Sequence, residues 1–315
     1  MSDNTASLRR KIGSAGDLQS VVRTMKALAA SSIGQYEKSV RALGDYSRTV
    51  ELGLGACFRA SESAAFVVHP KGKADAGGIG AVVFGSDQGL VGQFNDVVAD
   101  FAVKTLAALP GHPKVWAVGE RIHARLTDSG LPPLGLFSVP GSVQTITPLI
   151  GQILVEHETH RDRGEVTELH LFYNRPVSGA VYAPVHQRLL PLDDTWRRAL
   201  AELPWPTKPL PEIMGGSATV RALVREYLFV SLFRACAESL ASENASRLAA
   251  MERADRNIDE LLDELNGTFH RLRQSGIDAE LFDVISGFEA LAGPRKQTKR
   301  AAIHSGWNRG EGSTP

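Results

Sequence analysis

Two stretches of this chain place residue types at spacings that could do chemistry. Gly85-Ser-Asp-Gln-Gly-Leu-Val-Gly92 sets glycines between a strand-like and a helix-like run, where backbone amides can cradle a phosphate. Its spacing fits neither the dinucleotide fingerprint G-x-G-x-x-G nor the P-loop, which needs a Lys before a Ser or Thr. Gly85, Asp87, Gly89 and Gly92 therefore read as a structural tight turn. His157-Glu-Thr-His160 offers two imidazoles and a carboxylate, but its histidines are one residue too close for the H-E-x-x-H zinc helix. It reads as a pair of surface histidines. Asn244-Ala-Ser246 and Asn266-Gly-Thr268 match glycosylation sequons, which carry no meaning on a cytosolic helix. No serine or cysteine nucleophile constellation stands out, so no catalytic, cofactor-binding or metal-binding residue is assigned.

The elements that would position such groups alternate. Ala81–Gly85 reads as a buried strand, 94–109 as a helix, 114–118 as a strand, 120–128 as a helix, 134–139 as a strand and 147–161 as a helix. Strands at 169–173 and 181–190 follow, joined by a turn at Pro176–Gly179. This alternation predicts an α/β domain with a mostly parallel sheet, flanking helices and a final hairpin. Residues 59–78 read as a loop with a short strand at Phe66–His69, and Pro191–Gly216, rich in proline, as a stiff linker.

Long helices bracket the domain. From Gly216 to Leu291 no proline interrupts a helical pattern, with Ser217 as its expected N-cap. Its stripe runs through Val220, Leu223, Val224, Tyr227 and Leu228, thins to Ala241, Ala245 and Ala249, and resumes at Ile258, Leu261, Leu262, Leu265, Phe269 and Leu272. A matching stripe opens the chain: Leu8, Ile12, Ala15, Val22, Ala29, Ile33, Tyr36, Val40, Leu43, Val50 and Leu54 follow heptad-like steps, with gaps at Gln19, Lys26 and Ser47. A neighbouring row, Leu18, Val21, Met25 and Leu28, is expected to broaden the buried face. Two long helices at opposite ends most simply form an antiparallel coiled coil with the α/β domain inserted between them. The expected division is a helix over 1–58, a domain with its linkers over 59–211, a helix over 212–292 and a disordered basic tail over 293–315.

Lys+Arg and Asp+Glu both number 35 among 315 residues, so net charge argues for neither nucleic acid nor a membrane surface. Cys57 and Cys236 are the only cysteines, which fits a reducing compartment. No apolar run approaches the roughly 20 residues that span a bilayer, and the start lacks the features of a signal peptide.

Several segments together resemble the gamma subunit of F-type rotary ATP synthases, the central rotor shaft. Leu8-Arg-Arg-Lys-Ile12 and Val22-Arg-Thr-Met-Lys-Ala-Leu-Ala-Ala-Ser31 are similar to its opening helix, and Ser86–Gly92 with Asn95 resembles its glycine-rich turn. The most specific stretch, Glu238-Ser-Leu-Ala-Ser-Glu-Asn-Ala-Ser-Arg-Leu-Ala-Ala-Met251, continues through Arg273-Gln274 to Gly287. Asp278 and Phe288 stand where the family's closing signature has Thr and Ala, and Gln88 and Val91 depart in the turn; these changes resemble a divergent branch, the alternate N-type bacterial ATPases. The resemblance implies a non-catalytic subunit without cofactor or metal. Its implied partners are the alpha and beta subunits of the catalytic hexamer, the epsilon subunit and the c-ring of the membrane sector, with no nucleic acid. It also implies ion transport coupled to ATP synthesis, at the cytoplasmic face of a bacterial inner membrane. Arg247, Arg273 and Gln274 match beta-contact positions, and Ile277, Leu281, Val284, Ile285 and Phe288 read as an apolar bearing at the helix end. The alternatives are an α/β enzyme with a helical dimerisation arm and a coiled-coil scaffold outside any ATPase.

The same resemblance sets a helix register in which Met25 faces Arg247, Tyr36 faces Cys236 and Leu8 faces Glu264. Cys57 then falls near Gly215, roughly 30 Å from Cys236, and the second helix overhangs the first by about 40 Å.

Overall fold

The computed structural model describes residues 5–60, 78–207 and 216–292. The strand expected at Phe66–His69, the turn into the second long helix and the basic tail lie outside the described residues. The chain divides into two compact units, one made from 16–259 and the other from residues up to 15 together with those from 260 onward.

The larger unit is built on a five-stranded sheet. In chain order its elements are the long helix α1 (Thr5–Ala60, its first residues belonging to the other unit), β1 (Ile79–Phe84), α2 (Phe94–Ala107), β2 (Lys114–Val118), α3 (Glu120–Asp128), β3 (Gly135–Phe137), α4 (Ile146–Asp162), β4 (Glu168–Val177), β5 (Ala180–Leu190), α5 (Asp194–Glu202) and α6 (Gly216–Ala292, its residues from 260 onward belonging to the other unit). The strand order is β3-β2-β1-β4-β5. All neighbours are parallel except β4 and β5, which pair antiparallel with Asn174 opposite Pro184. β1 is buried at every position, as its unbroken apolar run requires of a central strand covered on both faces.

Two apolar layers sandwich that sheet. On one face Val82, Phe84, Trp116, Leu169, Leu171 and Tyr173 pack with Ile150 and Ile153 of α4 and with Leu232, Cys236, Leu240 and Ala241 of α6; Tyr36 of α1 joins them. On the other, Ala81, Val83, Val115, Ala117 and Phe172 meet Val98 and Ala102 of α2 and Ile122 and Leu126 of α3. The small residues of α6 sit where it lies against the sheet, because a helix backbone approaches closely only where side chains are short.

Three expectations change. The stretch read as a linker holds α5, whose N-cap Asp193 accepts from Thr195 N at 3.2 Å. Its Leu200 is buried with Val50 and Leu54 of α1, so this helix closes the core beneath the coiled coil. The second long helix begins at Gly216 rather than after a Ser217 cap. The row expected to broaden the buried face of α1 does not: Leu18, Val21 and Leu28 are exposed, and so are Leu261 and Leu272 of the α6 stripe.

Within the larger unit α1 and α6 run antiparallel. Tyr46 donates to Glu226 at 2.6 Å, the register expected from the sequence, and Tyr36 lies beside Cys236. Further along, Gln19 reaches Asp255 and Asp259, two and six residues beyond the position that the expected register sets opposite it. Cys57 and Cys236 are both buried and free. In the smaller unit the Arg9 guanidinium stands 5.5 Å from the Phe269 ring centroid, again beyond the expected pairing of Leu8 with Glu264.

Candidate functional site

The glycine-rich turn leaves β1 and immediately becomes tied down. Gly85 N donates to Val118 O at 2.9 Å, and a Cβ at this position would stand 2.3 Å from Ile122 Cβ, so only glycine lets α3 pack here. Ser86 N donates to Asn95 Oδ1 at 3.0 Å, and Asn95 Nδ2 returns a bond to Ser86 Oγ at 2.8 Å. Asp87 accepts from Glu120 N at 2.9 Å and from Val139 N at 3.0 Å. Its carboxylate thus binds the start of α3 to the segment leaving β3. Gly89 lies at the bend, and Gly92 (φ 57°) closes the turn in the left-handed region that glycine adopts without strain. The side chains of Ser86, Asp87 and Asn95 are thus committed to hydrogen bonds within the fold.

That turn rests on α6. Ser246 Oγ donates to Val91 O at 2.5 Å, so the two most distinctive motifs in the sequence, about 150 residues apart, meet. Arg247 follows, its Nη2 donating to Glu243 Oε1 at 2.6 Å and its Nη1 to Asn244 Oδ1 at 3.4 Å. Its side chain is only 13% exposed. Burial pushes the Glu243 carboxyl above the usual carboxylate range, and the Arg247 charge pulls it back. Arg247 is therefore folded inward on a buried acid.

Arg273 and Gln274 belong to the other unit and are exposed. Ile277, Leu281, Val284, Ile285 and Phe288, expected to form an apolar bearing, are exposed with them, Phe288 to 75%. A run of large apolar side chains in water marks a contact surface.

The histidine pair is not at the surface. His157 is buried and burial, then the charges of Arg161 and His160, lowers it to about 4. His160 is also buried, its Nδ1 2.5 Å from Glu165 Oε2 and its Nε2 3.3 Å from Glu156 Oε1. Glu158 instead pairs with Arg225 of α6 at 3.0 Å. The sequence signal for burial was their place one and two turns beyond Ile153, on the face α4 turns to the sheet. Among the described residues no group of three His, Cys, Asp or Glu side chains could hold a metal ion.

Long antiparallel helices, an inserted α/β domain and an exposed apolar helix end define a stalk subunit of a larger assembly. A family model described as ATP synthase matches residues 4–291, and the chain belongs to that family. It is 29% identical over 301 residues to the ATP synthase gamma chain of Syntrophus aciditrophicus, covering 90% of this chain and 97% of that one. It is 26% identical over 298 residues to the gamma chain of Nitrosomonas eutropha, at 90% and 98% coverage. Among solved structures it resembles a chain of the Euglena gracilis mitochondrial ATP synthase OSCP/F1/c-ring assembly, with TM-score 0.61 and 16% identity over 94% of this chain and 99% of that one. A chain of the Euglena rotor gives TM-score 0.58 at 14% identity over 87% and 98%; both likenesses concern the fold.

Proposed function

We propose that this chain is the rotor shaft of a bacterial F-type ATP synthase and itself catalyses nothing. The observation that carries the reading is the match to gamma chains along nearly the full length of both, on a fold whose exposed apolar helix end calls for a surrounding partner. The α/β domain, with an epsilon subunit, stands on the c-ring; the coiled coil enters the hexamer of alpha and beta subunits. As the ring turns, the shaft offers different side chains to each beta subunit, and these differential contacts bias the beta conformations. Arg273 and Gln274, exposed on α6, supply polar contacts there, and Ile277, Leu281, Val284, Ile285 and Phe288 turn within an apolar sleeve. Arg247, held by Glu243, supplies a further contact to beta. The complex holds the chain at the cytoplasmic face of the inner membrane; among the described residues no helix is long and apolar enough to cross a membrane.

Coexpression with alpha and beta subunits tests this. The three chains should copurify as a stable ATPase, while the single chain should neither bind nucleotide nor hydrolyse ATP. Hydrolysis by the single chain, or failure to copurify, would overturn the proposal.

A further inference from the structure

The gaps in the α1 stripe at Gln19 and Lys26 are polar residues on the face that packs against α6. Gln19 is buried to 8% exposure, and its amide Nε2 donates to Asp255 Oδ1 at 3.3 Å and to Asp259 Oδ1. Arg23 Nε donates to Asp255 Oδ1 at 3.2 Å, and its Nη2 stands 3.6 Å from Asp259 Oδ1. Lys26 Nζ lies 3.8 Å from Asp255 Oδ2. Asp255, whose side chain is 16% exposed, therefore collects three donors from one helix. Donors four and three residues apart on α1 face acceptors four apart on α6, each set lying along one side of its helix.

We propose that Gln19, Arg23 and Lys26 with Asp255 and Asp259 form a polar lock that admits one axial register of the two helices. The seam around it specifies register weakly: Val22, Ala29, Met251 and Ile258 are its buried apolar members, and apolar contact is non-directional, so a slide that keeps apolar side chains facing one another costs only imperfect packing. The polar contacts are directional. A slide of one heptad in either direction brings Leu248 or Leu262 to the place of Asp255 and Glu252 or Asn266 to that of Asp259, so Gln19, Arg23 and Lys26 lose the carboxylate that all three share. A one-turn slide in one direction sets Asp259 and Asp263 opposite the donors but forces Asp255, unpaired, into the buried place of Met251, and in the other direction it puts Met251 opposite the three donors. A buried polar residue in a coiled-coil seam fixes register at the expense of stability. The inference stands on these contacts alone, whatever the assembly the chain joins.

Spin labels test it in the full chain. With Cys57 and Cys236 changed to Ala, cysteines replace the exposed residues Lys38 of α1 and Glu252 of α6, sites offset along the axis so that sliding changes their separation. Electron–electron distance measurement should give one narrow distribution for this background. Gln19→Leu with Asp255→Leu keeps the seam apolar and should hold or raise the melting temperature, yet split the distribution into populations about 5–10 Å apart, one turn or one heptad of slide. A second variant, Asp255→Lys, sets like charges against Arg23 and Lys26 and should broaden the distribution; adding Arg23→Glu should narrow it again. A single narrow distance, unmoved in both variants, would overturn the lock.

Discussion

Two parts of α6 are similar in composition and opposite in fate. Between Leu228 and Ser246 its side chains are buried almost without a break against the sheet and α4. From Leu272 to Leu291 every side chain described is exposed, although Ile277, Leu281, Phe282, Val284, Ile285, Phe288 and Leu291 are as apolar as anything in the first part. Burial is thus decided by what covers a helix face, and apolar content says only that something should.

The sharpest way to break that contrast is truncation of one leucine or phenylalanine at each place. Leu232→Ala in the buried part should destabilise the full chain by about 2–5 kcal/mol. Phe288→Ala should change it by less than about 0.5 kcal/mol, since an exposed ring loses little burial. Urea unfolding of the two variants decides it; equal effects would mean that the helix end is covered in the single chain. In the assembled complex the order of effects on copurification should be reversed.

Glycines sharpen the contrast with opposite signs. Gly85→Ala drives a methyl into Ile122 and should destabilise by about 3 kcal/mol. Gly276 has nothing within 4 Å of its missing Cβ, so Gly276→Ala should stabilise the helix by up to about 1 kcal/mol. Thermal melts of both variants read the two signs directly.

Acid should loosen the domain first. Burial, with Arg161 and His160, lowers His157 to about 4, so the unfolded chain takes up that proton before the folded chain does. The contribution is present above about 6.5 and is lost as pH falls toward 4. Glu165, lowered to about 2 by its bonds to Lys114 and then His160, adds a second loss between about 4.5 and 2. His157→Leu should flatten the first of these windows in a stability-against-pH series and leave the second.

The smallest effect on the chain alone belongs to Arg273→Ala with Gln274→Ala, which should leave its unfolding within about 0.5 kcal/mol of the parent. The same variant in the complex should assemble but turn over more slowly if, as proposed, polar groups on beta lose their partners. Unaltered hydrolysis, synthesis and torque would remove both residues from the contact.

Much of this architecture was legible in the sequence. β2 and α3 run over Lys114–Val118 and Glu120–Asp128 as read from their periodicity, and the alternation of the domain follows from pattern alone. α5 was hidden because nine helical residues lie between prolines whose composition signals a linker. Leu18, Val21 and Leu28 show where periodicity stops: it identifies an apolar face without naming its cover. His157 shows the converse, since a polar residue type outweighed its place on the buried side of α4. The bond from Ser246 to the turn and the pairing of Gln19 with Asp255 join segments far apart in the chain, and no local pattern reports such pairs.

Among the described residues, both edges of the sheet carry features that discourage growth. β3 is three residues long, and in β5 the ring of Pro184, opposite Asn174, removes a backbone donor from the outer strand, two devices that discourage a further strand from adding. Sedimentation of the lone chain at rising concentration should accordingly show any association depending on helix-face residues such as Phe288 and Leu291, exposed to 75% and 89%, and a Phe288→Ala with Leu291→Ala variant should weaken it.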